Sequence, residues 1–146
     1  MAAMSNYLEN KLVDHCLRGV SFTAPTAIHV ALFTADPTDA NSGTEVSGGN
    51  YSRAALAPST TNWASTGGAT TTTNPSAGTG GATSNNVAIT FPTPSASWGT
   101  VTHFGIYDAS TAGNLLFHGA LTASKTIGAT DPAPSFAISA LVLTFA

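Results

Sequence analysis

Apolar residues near the start of the chain recur at the spacing of an amphipathic helix. The stripe consists of Met4, Leu8, Leu12 and Cys16, widened by Val13 and Leu17. It predicts one N-terminal helix or arm over 4–19, with Ser5 or Asn6 as N-cap and Gly19 at the C-terminal cap. Two arrangements satisfy this stripe: packing on its own domain, or an arm that packs on a neighbouring subunit.

Beyond Pro25 the pattern changes to a period of two, which is typical of β-strands. The predicted strands cover 27–34, 51–56, 87–91, 98–107, 115–122 and 136–143. The first and last are apolar at nearly every position, so we expect both to be buried on two faces. Clusters of Gly, Pro, Asn and Asp separate the strands and predict turns between them.

Residues 59–85 are dominated by Thr, Gly, Ala, Ser and Asn, with Trp63 as the only large side chain. Such a segment buries too little apolar area to offset the entropy of ordering it. We therefore expect a mobile low-complexity loop, which becomes ordered if it lies across a neighbouring subunit.

These elements together predict a mainly β fold. Short strands without helical patterns between them favour an antiparallel β-sandwich or barrel-like sheet pair, with one N-terminal α-helix. The length of 146 residues fits a single domain over 1–146, made of the helical arm and a β domain over 25–146.

Charge is scarce, and this changes the functional interpretation most. Only 8% of the residues are Asp, Glu, Lys or Arg, and none lies between Ala54 and Tyr107. Ordinary soluble domains contain about 25%. We expect a surface of Ser, Thr, Asn and Gly, or one covered by partners, and favour assembly into a larger object. Four scattered basic residues and a net charge of −3 exclude a nucleic-acid-binding patch.

The sequence also argues against a membrane location. No apolar run approaches the ~20 residues of a membrane-spanning helix. The first twenty residues carry Glu9, Lys11, Asp14 and Arg18, so no signal peptide is predicted. We therefore expect synthesis in a cytoplasm and no membrane partner.

Candidate catalytic and metal-binding residues do not form a known motif. The four histidines, which are His15, His29, His103 and His118, have no zinc-motif spacing. His103 and Asp108 are close enough in sequence to meet across a turn, and Asp36, Asp39 and Glu45 share a loop region without the EF-hand spacing. We expect structural roles for the histidines, no cofactor, no metal and no enzymatic activity.

Several stretches resemble a known family. They are 5–12, 30–34 (VALFT), 45–53 (EVSGGNYSR), 98–108 (WGTVTHFGIYD) and 113–119 (GNLLFHG). The chain resembles a family of small tailed-bacteriophage virion proteins, commonly labelled tail fibre proteins, over most of its length except 59–85. Its size and β-rich pattern also resemble capsid cement, or decoration, proteins.

This resemblance implies a structural virion protein. The first expectation is a cement protein, a homodimer or homotrimer that clamps neighbouring major capsid subunits from outside the shell. The alternative is a tail fibre or tail-tip component that contacts other tail proteins or a host receptor. Because aromatic residues and Arg dominate interface energetics, and the helix is a further contact, the candidate interface residues are Leu8, Leu12, Tyr51, Arg53, Trp63 and Trp98.

Overall fold

A computed structural model describes residues 2–66, 75–78 and 80–145. The elements in chain order are β1 (Ala2–Met4), α1 (Asn6–Leu17), β2 (His29–Phe33), β3 (Ala54–Ala55), β4 (Ala82–Ser84), β5 (Ile89–Thr90), β6 (Gly99–Tyr107), β7 (Leu115–Ile127), β8 (Ser135–Phe136) and β9 (Val142–Thr144). Within these described ranges, no helix has the length and apolar character needed to cross a membrane.

The largest sheet has five antiparallel strands in the order β1-β7-β6-β2-β3. Phe33 lies opposite His103, and Gly105 lies opposite His118. At the outer edge, Ala3 of β1 also lies opposite His118. Because side chains alternate between the two faces of a strand, His103 and His118 share one face of this sheet.

The opposite face of the sheet forms the main core. Its side chains pack against two short ribbons, β4–β9 and β5–β8. The buried cluster includes Val30, Leu32, Phe104 and Ile106 from the sheet, and Ile89, Phe91, Leu141 and Leu143 from the ribbons and their flanks. The described strands therefore form sandwich-like antiparallel layers rather than a closed barrel, and the predicted fold class is confirmed.

The histidine-bearing face carries a second, smaller cluster. It consists of Ala31, Phe33, Tyr107 and Leu115. The rings of Phe33 and Tyr107 stack with centroids 6.4 Å apart. Gly105 lies within contact range of these side chains, since a Cβ there would stand 2.9 Å from Phe33 and 3.0 Å from Leu115. A larger residue at this position would push the two side chains apart.

The helix begins two residues later than its apolar stripe predicts. Ser5 is the N-cap, and its hydroxyl accepts a hydrogen bond from the Leu8 amide at 3.3 Å and donates one to the Leu115 carbonyl. Met4 belongs instead to β1, opposite Phe117. The prediction was therefore wrong for Met4, because pairing with the edge of β7 outweighs its helical spacing.

The last predicted strand, 136–143, is broken in two. The cause is Asn85, a fully buried residue whose side chain takes the place of a neighbouring strand. Its Nδ2 donates to the Ala137 carbonyl at 2.8 Å, and its Oδ1 accepts from the Leu141 amide at 2.9 Å. Between these contacts Ser139 adopts a φ of 63°, which turns the chain. An amide side chain thus satisfies backbone groups that the sequence pattern assigns to a sheet.

The low-complexity segment also differs from its prediction where it is described. Ala64, Ser65 and Ser84 are buried, and 82–84 form β4. The Ala64 amide donates to the Ser84 carbonyl at 2.8 Å, which ties the two flanks of the segment together. The predicted loop character of 67–74 and 79 lies outside the described residues.

Candidate interaction surfaces

Glu45 lies at the centre of a polar network on the small cluster. The Arg53 guanidinium forms a two-pronged ion pair with it, from Nε to Oε1 and from Nη2 to Oε2, both at 2.8 Å. The Tyr51 hydroxyl donates to the same carboxylate at 3.0 Å and accepts from the Leu32 amide at 2.9 Å. Two-pronged pairs of this kind fix geometry as well as charge.

Arg53 also connects this network to the turn between β6 and β7. Its Nη1 donates to the carbonyls of Ala109 and Ala112 at 3.0 and 2.8 Å. Its guanidinium carbon lies 3.5 Å from the centre of the Tyr107 ring, a cation–π contact. Only 8% of the Arg53 side chain is exposed. The guanidinium is therefore engaged on every side by its own chain.

Burial and the Glu45 carboxylate together shift the pKa values of this network. Burial raises the pKa of the Tyr51 hydroxyl, and the Glu45 charge acts in the same direction. Burial also raises the pKa of Tyr107, although Arg53 opposes it. For Arg53 burial acts to lower the pKa, but the hydrogen bonds and charge of Glu45 outweigh it and raise the pKa. Both phenols therefore stay protonated and Arg53 stays charged at neutral pH, so these three groups can keep their hydrogen bonds in place.

Trp98 lies on the core side of the same region. It is 4% exposed, its Nε1 donates to the Gly49 carbonyl at 2.8 Å, and its ring meets Tyr51 edge-on at 5.2 Å. Gly49 has a φ of 55°, and a Cβ there would stand 3.0 Å from the indole. A glycine at this position lets the backbone approach the ring closely enough to accept its hydrogen bond.

The helix presents a different surface along its length. Leu8 is buried and Leu12 is half-buried. Further along, Val13 and Val20 are half-exposed, and Leu17 is 82% exposed. Cys16 is a free, exposed thiol beside them. Of the apolar stripe, the chain thus buries only the first half. We name Val13, Cys16 and Leu17, together with Val20 just after the helix, the open helix face.

The remaining candidate, Trp63, belongs to the low-complexity segment. Its backbone forms an isolated antiparallel β-bridge with Asn85, which joins the two flanks of the low-complexity segment. Its side chain is partly buried against the core. Its indole Nε1 is buried, and no described residue forms a hydrogen bond with it. The structure therefore joins Tyr51, Arg53 and Trp98 through direct contacts and through Glu45. Trp63 comes from a different segment and packs against the same core cluster. Contact with another protein stays a prediction for all six candidate residues.

Two of the four histidines, His103 and His118, cluster with aspartates of the loop after β2, a contact that the sequence pattern does not predict. The Nε2 of His118 lies 2.9 Å from Asp39, and its Nδ1 lies 3.4 Å from Asp36. His103 Nε2 lies 3.8 Å from Asp36. His103 lies against Asp36, whereas Asp108 accepts hydrogen bonds from the backbone and side chain of Asn114, both at 2.7 Å.

These carboxylates hold the loop that follows β2. The amide of Thr38 donates to Asp36 at 2.9 Å, and this hydrogen bond is the main reason why the pKa of Asp36 lies below its ordinary value. The Asp39 carbonyl accepts from the Asn6 amide at 3.0 Å, so the loop is also tied to the start of α1. Among the described residues, no group of three or more His, Cys, Asp or Glu is arranged to hold a metal ion.

Comparison with known families defines the class of protein to which this β-sandwich-like chain belongs. It is a structural protein of the bacteriophage virion, because a phage fibre family model covers residues 3–144. The chain belongs to that family, described as podophage GP4 fiber I protein gp80. No curated protein matches the chain.

Proposed function

We propose that this protein is a component of the tail fibre and helps to attach the phage to its host, without catalytic activity. The observation that carries the proposal is the match of residues 3–144 to a fibre family. The sequence alone favours a capsid cement protein instead. The family description supports the fibre alternative and offers nothing specific to a shell.

Four titratable residues on and beside the sheet support a structural role. Glu45, Arg53, Asp36 and His118 are all paired with one another or with backbone groups of the same chain. Catalytic acids and bases need a free position facing a substrate. In this region the charged groups hold loops onto the sheet instead.

The open helix face supports assembly with other proteins of the particle. Val13 and Leu17 expose apolar surface four positions apart on α1, and Val20, just after the helix, is half-exposed as well. Burying apolar surface is favourable by about 25 cal/mol per Å². We propose that a neighbouring copy or another tail protein covers this face, as the arm predicted from the sequence would require.

Immunogold electron microscopy of purified particles tests the location. Antibodies raised against the isolated chain should label the tail or its fibres and leave the shell unlabelled. Particles from a phage that lacks the gene are the control for nonspecific labelling. Gold distributed over the shell would refute the fibre proposal and restore the cement interpretation.

A further inference from the structure

A polar groove lies where the start of α1 meets two loops. One loop follows β2, and the other joins β6 to β7. The groove has a volume of about 360 Å³, in the lower range of small-ligand sites. It is lined by Ser5, Asn6, Tyr7, Asp39, Ala40, Asn41, Gly113, Asn114 and Leu115.

Four of the lining side chains keep hydrogen-bonding capacity for a ligand. Asn41 uses its Oδ1 to accept from Tyr107, and Asn114 uses its Nδ2 to donate to Asp108. Asp39 uses one carboxylate oxygen for His118. The second polar atom of each of these groups has no partner among the described residues, and neither has the exposed side chain of Asn6. The groove therefore offers both donors and acceptors.

The walls of the groove are fixed by contacts behind them. The Asn6 amide donates to the Asp39 carbonyl. The Ser5 amide donates to the Leu116 carbonyl, and the Ser5 hydroxyl donates to the Leu115 carbonyl. The second loop is held by Asp108, which accepts from the Asn114 amide. Such support reduces the entropy that a ligand must remove on binding.

The charge of the groove restricts the class of ligand. No Lys or Arg lines it, and its one ionisable lining side chain besides the Tyr7 phenol is the Asp39 carboxylate. Lys11 lies outside the lining, with its ammonium 5.6 Å from the centre of the Tyr7 ring. Phosphates and acidic peptides would meet a negative charge with no lining cation, and an apolar peptide would leave the amides without partners.

We infer that this groove binds a neutral saccharide unit of the bacterial surface. Sugar hydroxyls donate and accept at once, which matches three amides and a carboxylate, and Tyr7 supplies an aromatic surface for the apolar side of a sugar ring. The inference deepens the proposed attachment role and rests on it.

An array of bacterial surface oligosaccharides, followed by NMR titration of the labelled full chain with the best-binding sugar, tests this inference. Asn6→Ala should weaken binding about tenfold, because one side chain loses its hydrogen bonds to the sugar. Ala40→Trp should abolish binding by filling the groove. Asn10→Ala, on the exposed side of the same helix, and Ala129→Trp, in the loop after β7, are the matched controls and should bind normally.

Binding that survives Ala40→Trp would overturn the inference, as would an array and titration in which no sugar shifts a resonance of the groove. Folding of each variant is checked by its amide NMR spectrum, and Asn6→Ala provides the test if Ala40→Trp misfolds. Immunogold labelling is independent of this result. Tail labelling without sugar binding would leave the fibre proposal intact and remove only the saccharide site.

Discussion

The region around Arg53 and the second half of α1 use their side chains in opposite ways. Around Arg53, residue types that commonly anchor interfaces turn inward, and their polar atoms are bonded to the same chain. On the open helix face, small and medium apolar residues that commonly fill cores turn outward, with Leu17 82% exposed. Residue type alone therefore misjudges which side of this molecule is available to a partner.

The difference has a physical origin in the sheet. Tyr51, Arg53 and Glu45 sit beside β2 and β6, where the stacked Phe33 and Tyr107 rings offer a flat apolar surface for the guanidinium. Among the described strands, the helix contacts the edge strand β1 and its neighbour β7, and along its apolar stripe Leu8 is buried whereas Leu17 is exposed. A stripe longer than the surface beneath it must stay exposed or find a partner.

Trp98→Ala is expected to have the largest effect on the isolated chain. The substitution removes a buried indole, its contact with Tyr51 and its hydrogen bond to Gly49. The expected loss is about 3–5 kcal/mol in the free energy of unfolding, measured by urea denaturation. Trp98→Phe keeps most of the packing and should cost clearly less. A loss below about 1 kcal/mol for the alanine variant would show that this region is not part of the core.

Arg53→Ala should have the second-largest effect, a loss of about 3 kcal/mol in the free energy of unfolding in the same assay. It leaves the Glu45 carboxylate without its ion pair and two carbonyls without a donor. Arg18→Ala is the matched control, because Arg18 pairs with Asp14 at 3.0 Å while 70% of its side chain is exposed. Exposed pairs contribute about 0–1 kcal/mol. Equal losses in the free energy of unfolding for the two variants would contradict the claim that Arg53 is held by buried contacts while the end of α1 is exposed.

Leu17→Gln should change the stability of the isolated chain by less than about 0.5 kcal/mol. Glutamine has a helix propensity similar to that of leucine, and little packing is lost at an exposed position. Incorporation into particles should fall, as measured by quantitative mass spectrometry of virions assembled with the variant. Asn10→Gln, an exposed polar change on the same helix, is the control. Normal incorporation of Leu17→Gln would refute the assembly role of the open helix face.

Asp36→Asn should produce the smallest effect, and one that depends on pH. Because the pKa of Asp36 is lowered in the folded chain, its contribution to stability is present above the ordinary value of 3.8 and is lost as pH falls through the folded pKa. Wild type should therefore exceed the variant slightly at pH 7, and the two should converge in acid. Thermal unfolding across this range checks the sign. A difference that grows in acid would contradict the assignment.

Much of the fold follows from local pattern, but its long-range polar contacts do not. A continuous apolar run locates β2, alternation locates β6, and Ser5 marks the start of the helix as its residue type predicts. The split of the last strand depends on Asn85, which lies 52 and 56 positions away from the groups it bonds. An asparagine in a Ser- and Asn-rich segment gives no local signal of such a role.

The candidate surfaces show the same limit. Arg53 bonds a carbonyl 59 residues away, and His118 pairs with an aspartate 79 residues away. Only the folded sheet brings these groups together, so their spacing in the sequence does not predict these contacts. The groove beside α1 is assembled from three separate segments for the same reason. The tailed-phage family, in contrast, was identifiable from contiguous runs, and the family match confirms it.

The number of copies per particle, relative to the major shell protein, tests the fibre assignment most directly. Quantitative mass spectrometry of purified virions measures this ratio without depending on antibodies or variants. A fibre component should be present at a small fraction of the shell protein, in a number that matches the copies of other tail proteins. A ratio near one copy per shell subunit would contradict the fibre assignment and identify a capsid cement protein.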